Sequence, residues 1–177
     1  MEVGNTAATF STEQGLFELK AAESDQAGEM LSLLKEAAEV MEQQGRKQWS
    51  PSLFSLDLME QYLADREVFI LWHRDMAVGM FTLQYGDPAY WGERDDPAYG
   101  YLHRLTVRAS YRGLELGTKM ISFAESYLLS KGKQGFRLDC VSHLPTLNQF
   151  YQRQGFLFVA KQDMGGRFVN LYEKRFM

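Results

Sequence analysis

The chain has 177 residues, a length that fits one domain and can bury roughly 70% of the surface its unfolded form exposes. Hydrophobic residues make up 45% and charged ones 24%, ordinary for a soluble globular protein, and a net charge of −4 argues against nucleic acid or an anionic membrane as partner. The single cysteine, Cys140, excludes an intrachain disulfide; with no membrane-length apolar run and no signal-peptide pattern, the expected location is the cytoplasm.

Met1 to Gly15 is small and polar without sustained periodicity and reads as a flexible tail, which leaves 16–177 as one domain. Leu16 to Ala22 fits a first strand. Ser24 or Asp25 then caps a helix whose Ala27, Met30, Leu31, Leu34, Ala37, Ala38 and Met41 make one apolar stripe, and Gly45 ends it. Ser50-Pro51 opens a second helix, to about Ala64, carrying Leu53, Leu56 and Leu63. Val68–Trp72 and Ala77–Tyr85 are strands joined by the turn His73-Arg74-Asp75, with Gly79 marking a bulge. Gly86 to Ala98 holds turn formers and four acidic residues without periodicity, and reads as a loop.

Tyr99 to Val107 alternates, with Tyr99, Tyr101, His103, Leu105 and Val107 on one strand face. After a basic turn, Leu116, Met120, Phe123, Ala124, Tyr127 and Leu128 follow helical spacing. Phe136–Val141 is a strand, Pro145 opens a short helix ended by Gly155, and Phe156–Ala160 and Phe168–Tyr172 are a last pair of strands around Gly165-Gly166. The order β-α-α-β-β-β-α-β-α-β-β predicts an α/β (α+β) fold with a mixed sheet of about seven strands and helices on both faces.

The junction at Tyr111-Arg112-Gly113 is the first candidate site. A helix start carries unsatisfied N–H groups and the positive end of the helix dipole, so a glycine-bearing turn there can hold phosphate oxygens. Leu105-Thr106-Val107 followed by Arg112-Gly113-Leu114-Glu115-Leu116-Gly117 resembles the acetyl-CoA motif of the GNAT N-acetyltransferases, Arg/Gln-x-x-Gly-x-Gly/Ala after a Leu-x-Val strand. Glu115 stands where the first glycine is usual. Phe150-Tyr151-Gln152-Arg153-Gln154-Gly155-Phe156 resembles the second signature of that family, a tyrosine four residues before Gly-Phe.

The resemblance implies acetyl-CoA as cosubstrate and transfer to a small-molecule or peptide amine by direct attack in a ternary complex; no His, Cys and carboxylate spacing suggests a metal site, and a homodimer is left open. It implies that the strand at Tyr99–Val107 splays from the strand after its helix, with pantetheine in the gap. Arg112, Gly113, Leu114, Glu115, Leu116, Gly117 and Thr118 would then wrap the pyrophosphate, and Leu105, Thr106 and Val107 would line the pantetheine. Tyr151 would protonate the departing thiolate. Many relatives carry an asparagine seven residues before that tyrosine, where this chain has Leu144, and Asn148 one helical turn on would take over its pantetheine contact. His103 sits where arylalkylamine acetyltransferases carry a functional histidine, and a neutral imidazole can take the amine proton through water.

Each of these residues also has a structural reading. Leu105 and Val107 fit a sheet core, Tyr151 fits helix packing beside Phe150 and Phe156, and His103 fits a hydrogen-bonded strand histidine. His73 and His143 read as turn residues, and Cys140 as a buried structural thiol. Trp49, Tyr90 and Trp91 would wall the acceptor pocket, and Glu93, Asp95 and Asp96 would draw a cationic amine to it. A non-catalytic acyl-CoA-binding module, or acetylation of a protein N-terminus or lysine, remains open at this level.

Overall fold

The computed structural model describes residues 6–177, so the expectation of a tail over 1–5 lies outside the described residues. The elements are β1 Thr6–Thr12, β2 Gly15–Ala21, α1 Ala27–Gln43, α2 Leu56–Asp65, β3 Glu67–His73, β4 Met76–Gln84, α3 Pro88–Trp91, β5 Tyr99–Val107, α4 Leu116–Ser130, β6 Gly135–Val141, α5 Pro145–Arg153, β7 Leu157–Asp163 and β8 Phe168–Arg175. The strands form a sheet in the order β1-β2-β3-β4-β5-β6-β8-β7. The mixed α/β class is the one expected, with eight strands in place of about seven. The additional strand is β1, which pairs antiparallel with β2 from Thr12 opposite Gly15, so residues 6–12 are sheet and not tail. Among the described residues no helix is long and apolar enough to cross a membrane.

The chain divides into two compact units, one built from residues up to Thr82 together with Arg104–Met120, the other from Leu83–His103 and Ile121–Met177. In the first, α1 buries Ala27, Met30, Leu33, Leu34, Ala37, Ala38 and Met41 against Met59, Tyr62, Ile70 and Met80. The sequence stripe holds except that Leu33 takes the core position expected of Leu31, which packs at its edge. Gln26 precedes the helix in place of Ser24 or Asp25, and its side chain accepts from the Glu23 N–H at 2.8 Å. Gly45 ends α1 at φ 70°, with its N–H on Glu42 C=O and the Arg46 N–H on Met41 C=O, the paired bonds of a Schellman stop.

Ser50-Pro51 opens only a single 3-10 turn, Pro51–Leu53, and α2 starts at Leu56 behind Ser55, whose hydroxyl accepts from the Leu58 N–H at 3.2 Å. The core residues of α2 are Met59 and Tyr62, while Leu53 and Leu56 are exposed. At Gly79 a Cβ would lie 2.9 Å from the Thr106 carbonyl oxygen and 3.2 Å from Met120, so glycine permits two backbones to approach. On β5, Arg104 adopts φ 58°, a left-handed conformation that costs an L-residue about 1–2 kcal/mol. The alternation does not run through it. Beyond Arg104, Thr106 is buried while Leu105 and Val107 are half-buried, which corrects the single face expected for Tyr99 to Val107.

In the second unit Trp91, Tyr99, Tyr101, Val141, Val169 and Leu171 form one core cluster. Residues 86–98, expected as a loop, contain α3 and a 3-10 turn at Gly92–Arg94. Arg137 on β6 anchors them. Its guanidinium lies 4.3 Å from the Trp91 ring centre and 3.9 Å from that of Tyr99. It donates to the Arg94 carbonyl at 2.7 Å, the Tyr101 hydroxyl at 2.8 Å and Glu173 at 2.9 Å. Pairing with a carboxylate and further hydrogen bonds is what lets a charge be buried at acceptable cost. β5 runs parallel to β6 over Tyr99–Tyr101 and Gly135–Arg137, and β6 is antiparallel to β8 along its length.

Candidate active site

The residues after β5 are pinned before the basic turn begins. Arg108 donates from Nε to the Ala77 carbonyl at 2.7 Å, from Nη1 to Glu36 at 2.6 Å and from Nη2 to Ser32 at 3.1 Å. Tyr111 shares a 2.9 Å hydrogen bond with His73 Nδ1, and the His73 ring stacks on Phe17 at 4.4 Å. His73 is therefore the packed last residue of β3 and not a turn residue, whereas His143 is an exposed turn residue as expected.

From this anchor Arg112 runs extended and exposed, Gly113 has φ 88°, and Glu115 has φ 58°. Leu114 and Leu116 turn inward, at 9% and 2% exposure. The first bond within α4 is Lys119 N–H to Glu115 C=O at 3.0 Å, so the N–H groups of Leu116 and Gly117 are those a helix start turns outward. Gly117 and Thr118 are half-buried. Glu115 thus keeps the left-handed backbone for which a glycine is usual, with its carboxylate exposed. Arg46 adds charge to this end. Its affinity for its proton is lowered, first by burial and then by the positive charge of Arg112. Two cations that disfavour each other beside outward-turned N–H groups suit a phosphate.

In the second unit His103 stands between two carboxylates. Its Nε2 lies 2.8 Å from Asp87 Oδ2 and its Nδ1 3.9 Å from Asp139 Oδ1, with all three side chains at 15% exposure or less. An Nε2–H donating to Asp87 leaves Nδ1 as the atom able to take a proton. The Tyr90 ring lies 6.0 Å from the imidazole. Asp87, His103 and Asp139 also form the one group among the described residues whose potential ligand atoms all lie within 4.8 Å. The direct 2.8 Å hydrogen bond accounts for the closeness of Asp87 and His103, and Asp139 completes the group from the other ring nitrogen. Sequence reading missed both carboxylates. Asp87 lay in a stretch read as acceptor loop, and Asp139 sits on β6 with no spacing relation to His103.

Tyr151 on α5 is 8% exposed, its ring edge-on to Phe150 at 5.2 Å and Phe156 at 6.1 Å. Burial holds its phenol well above the usual tyrosine range, and the neighbouring Cys140 and Asp139 add to the shift. Burial, with Asp139 second, pushes the Cys140 thiol up to about 12, as a structural thiol requires.

Asn148 departs from its expected role. Its amide donates to Val141 C=O at 3.0 Å and Leu144 C=O at 2.8 Å. Its carbonyl oxygen accepts from Cys140 at 3.2 Å, Asn170 at 2.8 Å and Tyr172 at 2.7 Å. With both amide hydrogens and the oxygen engaged inside the chain, Asn148 ties α5 to β6 and β8 and has no group left for pantetheine.

The acceptor wall changes likewise. Trp91 is core, at 1% exposure. Asp95 accepts from the Asp87 N–H at 2.6 Å and Asp96 from the Ala98 N–H at 2.9 Å, so both cap their own loop, and Glu93 alone of the three is exposed outright. Tyr90 remains beside His103, and Trp49 lies in the other unit, against Arg104.

The model of the Acetyltransferase (GNAT) family matches residues 30–156. The uncharacterized N-acetyltransferase YesJ of Bacillus subtilis (strain 168) is 28% identical over 156 residues, 85% of each chain. A crystal structure of a GNAT-family acetyltransferase from Listeria monocytogenes 4b is 26% identical, with a TM-score of 0.80 over 96% of this chain and 100% of its own. The ribosomal L7/L12 alpha-N-protein acetyltransferase RimL, solved in complex with coenzyme A, is 12% identical with a TM-score of 0.71 over 96% of this chain and 97% of its own, a likeness of fold.

Proposed function

We propose that this chain, which belongs to the acetyltransferase (GNAT) family, transfers the acetyl group of acetyl-CoA to a primary amine by direct attack in a ternary complex. Acetyl transfer is the activity of the family; the amine, the attack and the residue roles are the reading argued from the geometry. The observation that carries it is the loop from Arg112 to Thr118. Its left-handed Gly113 and Glu115, the outward N–H groups at the start of α4 and the paired Arg46 and Arg112 make a cradle for a pyrophosphate.

Acetyl-CoA, when bound, supplies an activated thioester whose carbonyl carbon the amine attacks. The backbone of Leu105 and Val107 takes the place of a neighbouring strand for the pantetheine amides, and Thr106 stays in the core. The Leu105 N–H polarises the thioester oxygen. His103 Nδ1 takes the amine proton, directly or through water. Asp87 fixes the tautomer, and Asp139 stabilises the charge that forms on the ring. Tyr151 holds its proton through neutral pH and offers it to the sulfur as negative charge develops there. Because burial strengthens its hold, the phenol acts first as a hydrogen-bond donor, and the proton moves only as the C–S bond breaks.

A melting curve tests the cofactor assignment. Acetyl-CoA at about 100 times its Kd stabilises by about 2.7 kcal/mol, which for a domain of this size raises Tm by about 5–10 °C. Glu115→Gly keeps the left-handed turn and removes a negative charge near the phosphates, so at equal ligand concentration its shift is larger than that of the wild type. No shift at millimolar acetyl-CoA in either protein removes the assignment.

A further inference from the structure

Arg104 carries a charge that the cofactor loop and the histidine site leave without a task. It is half-buried, and its left-handed backbone aims it into three aromatic side chains of its own unit. Its Nε–H donates to the Tyr62 hydroxyl at 3.1 Å. The guanidinium carbon lies 5.1 Å from the centre of the Phe54 ring, 5.4 Å from that of Trp49 and 6.0 Å from that of Tyr62. Those rings are themselves 3%, 9% and 4% exposed. Trp49 and Phe54 meet edge to face at 5.8 Å, and a second guanidinium, Arg66, lies 4.0 Å from the Tyr62 ring. The box is therefore built from packed parts and holds the arginine in one place.

Among the described residues no carboxylate pairs with Arg104, whereas Arg108 and Arg137 each have one. Aromatic faces offset part of a guanidinium charge but accept none of its in-plane hydrogen bonds. One of five N–H donors is used by Tyr62, and the two terminal nitrogens keep the planar fork that matches a carboxylate. In the chain Arg104 directly follows His103, the proposed base, and directly precedes Leu105, whose N–H is proposed to polarise the thioester.

We infer that Arg104 selects the acceptor by binding a carboxylate that the amine carries, as an amino acid does. This rests on the proposed acetyl transfer only in taking the ligand to be the amine acceptor; the carboxylate site stands on the box itself. It reverses the charge expected from the sequence, in which acidic residues were to draw a cation. A lysine in place of Arg104 would keep the charge but lose the fork, and a glutamine would lose both.

Calorimetry with the CoA-loaded protein tests this, using free amino acids, each beside its carboxamide and its decarboxylated amine. The expected result is that at least one acid binds tenfold or more tightly than its amide and amine. Arg104→Gln removes that preference, Arg104→Lys restores part of it, and both variants keep the thermal shift with acetyl-CoA. In turnover the glutamine variant raises KM for the acid with kcat within about threefold. Equal binding of acids and amides by the wild type, or a preference that survives in Arg104→Gln, overturns the assignment. So does a loss of acetyl-CoA binding in Arg104→Gln, which would make the guanidinium a partner of the cofactor. Preference without turnover in the wild type would sink acetyl transfer and leave the carboxylate site standing.

Discussion

Tyr151→Phe is expected to lower kcat by about 10²–10³-fold while acetyl-CoA affinity stays within about threefold. The substitution removes one hydroxyl and keeps a ring whose edges meet Phe150 and Phe156, so packing changes little. On the proposed mechanism what is lost is the donor to the departing sulfur, an effect of the size general acids supply. The loss belongs in kcat and not in cofactor binding, because the hydrogen bond strengthens only as the thiolate forms. The pH profile carries a second mark. Burial and the neighbouring Cys140 and Asp139 raise the phenol above its ordinary value, so its proton is retained beyond pH 10, and kcat should show no alkaline fall from this group below that value. Unchanged kcat in the phenylalanine variant, measured by thiol release at saturating substrates, removes Tyr151 from the mechanism.

His103→Gln is expected to cost about 10²-fold or more in kcat/KM, and Asp87→Asn about 10–100-fold, since it disturbs the tautomer and not the base itself. In the proposed mechanism Asp87 positions His103 through the 2.8 Å bond to Nε2. Its backbone N–H bonds to Asp95 independently of its carboxylate, which lets the asparagine variant keep the loop. The distinguishing measurement is the double variant. If Asp87 acts only through His103, Asp87→Asn with His103→Gln is no slower than His103→Gln alone. Multiplied losses would instead give Asp87 a separate role. Both variants should keep the acetyl-CoA thermal shift, which separates a catalytic defect from a folding one.

The regular parts of the fold were legible because periodicity is local. The α1 stripe from Ala27 to Met41 and the Gly45 stop are written in consecutive residues, and so are the strands at Val68 and Ala77. Residues 6–12 were read as a tail because their threonines and alanines show no clear alternation; their pairing with β2 is a tertiary fact. The second helix was started too early because two serines five residues apart both look like caps, and only Ser55 receives a backbone N–H.

The loop from Arg112 to Thr118 is legible as a turn between strand and helix, and what sequence does not supply is its backbone. A glutamate at the first glycine position reads as a departure, yet Glu115 keeps the left-handed angle the position needs. The strand before it could not be read past Arg104, because nothing in the residue type announces a left-handed arginine. Asp87 and Asp139 were hidden for a different reason: a carboxylate reaches a histidine across the fold with no spacing rule to mark it. Asn148, expected to contact pantetheine, turned out to be spent on the chain's own carbonyls and side chains, which no helical spacing could foretell.

The most direct test of the central claim is amine-dependent release of the CoA thiol from acetyl-CoA by the purified wild-type protein, followed with a thiol reagent across amino acids and simple amines. The account predicts release that requires the amine, saturates in both substrates and falls by at least 100-fold in Tyr151→Phe. Thermal protection by acetyl-CoA with no amine-stimulated release across the panel would contradict it and leave an acyl-CoA-binding module.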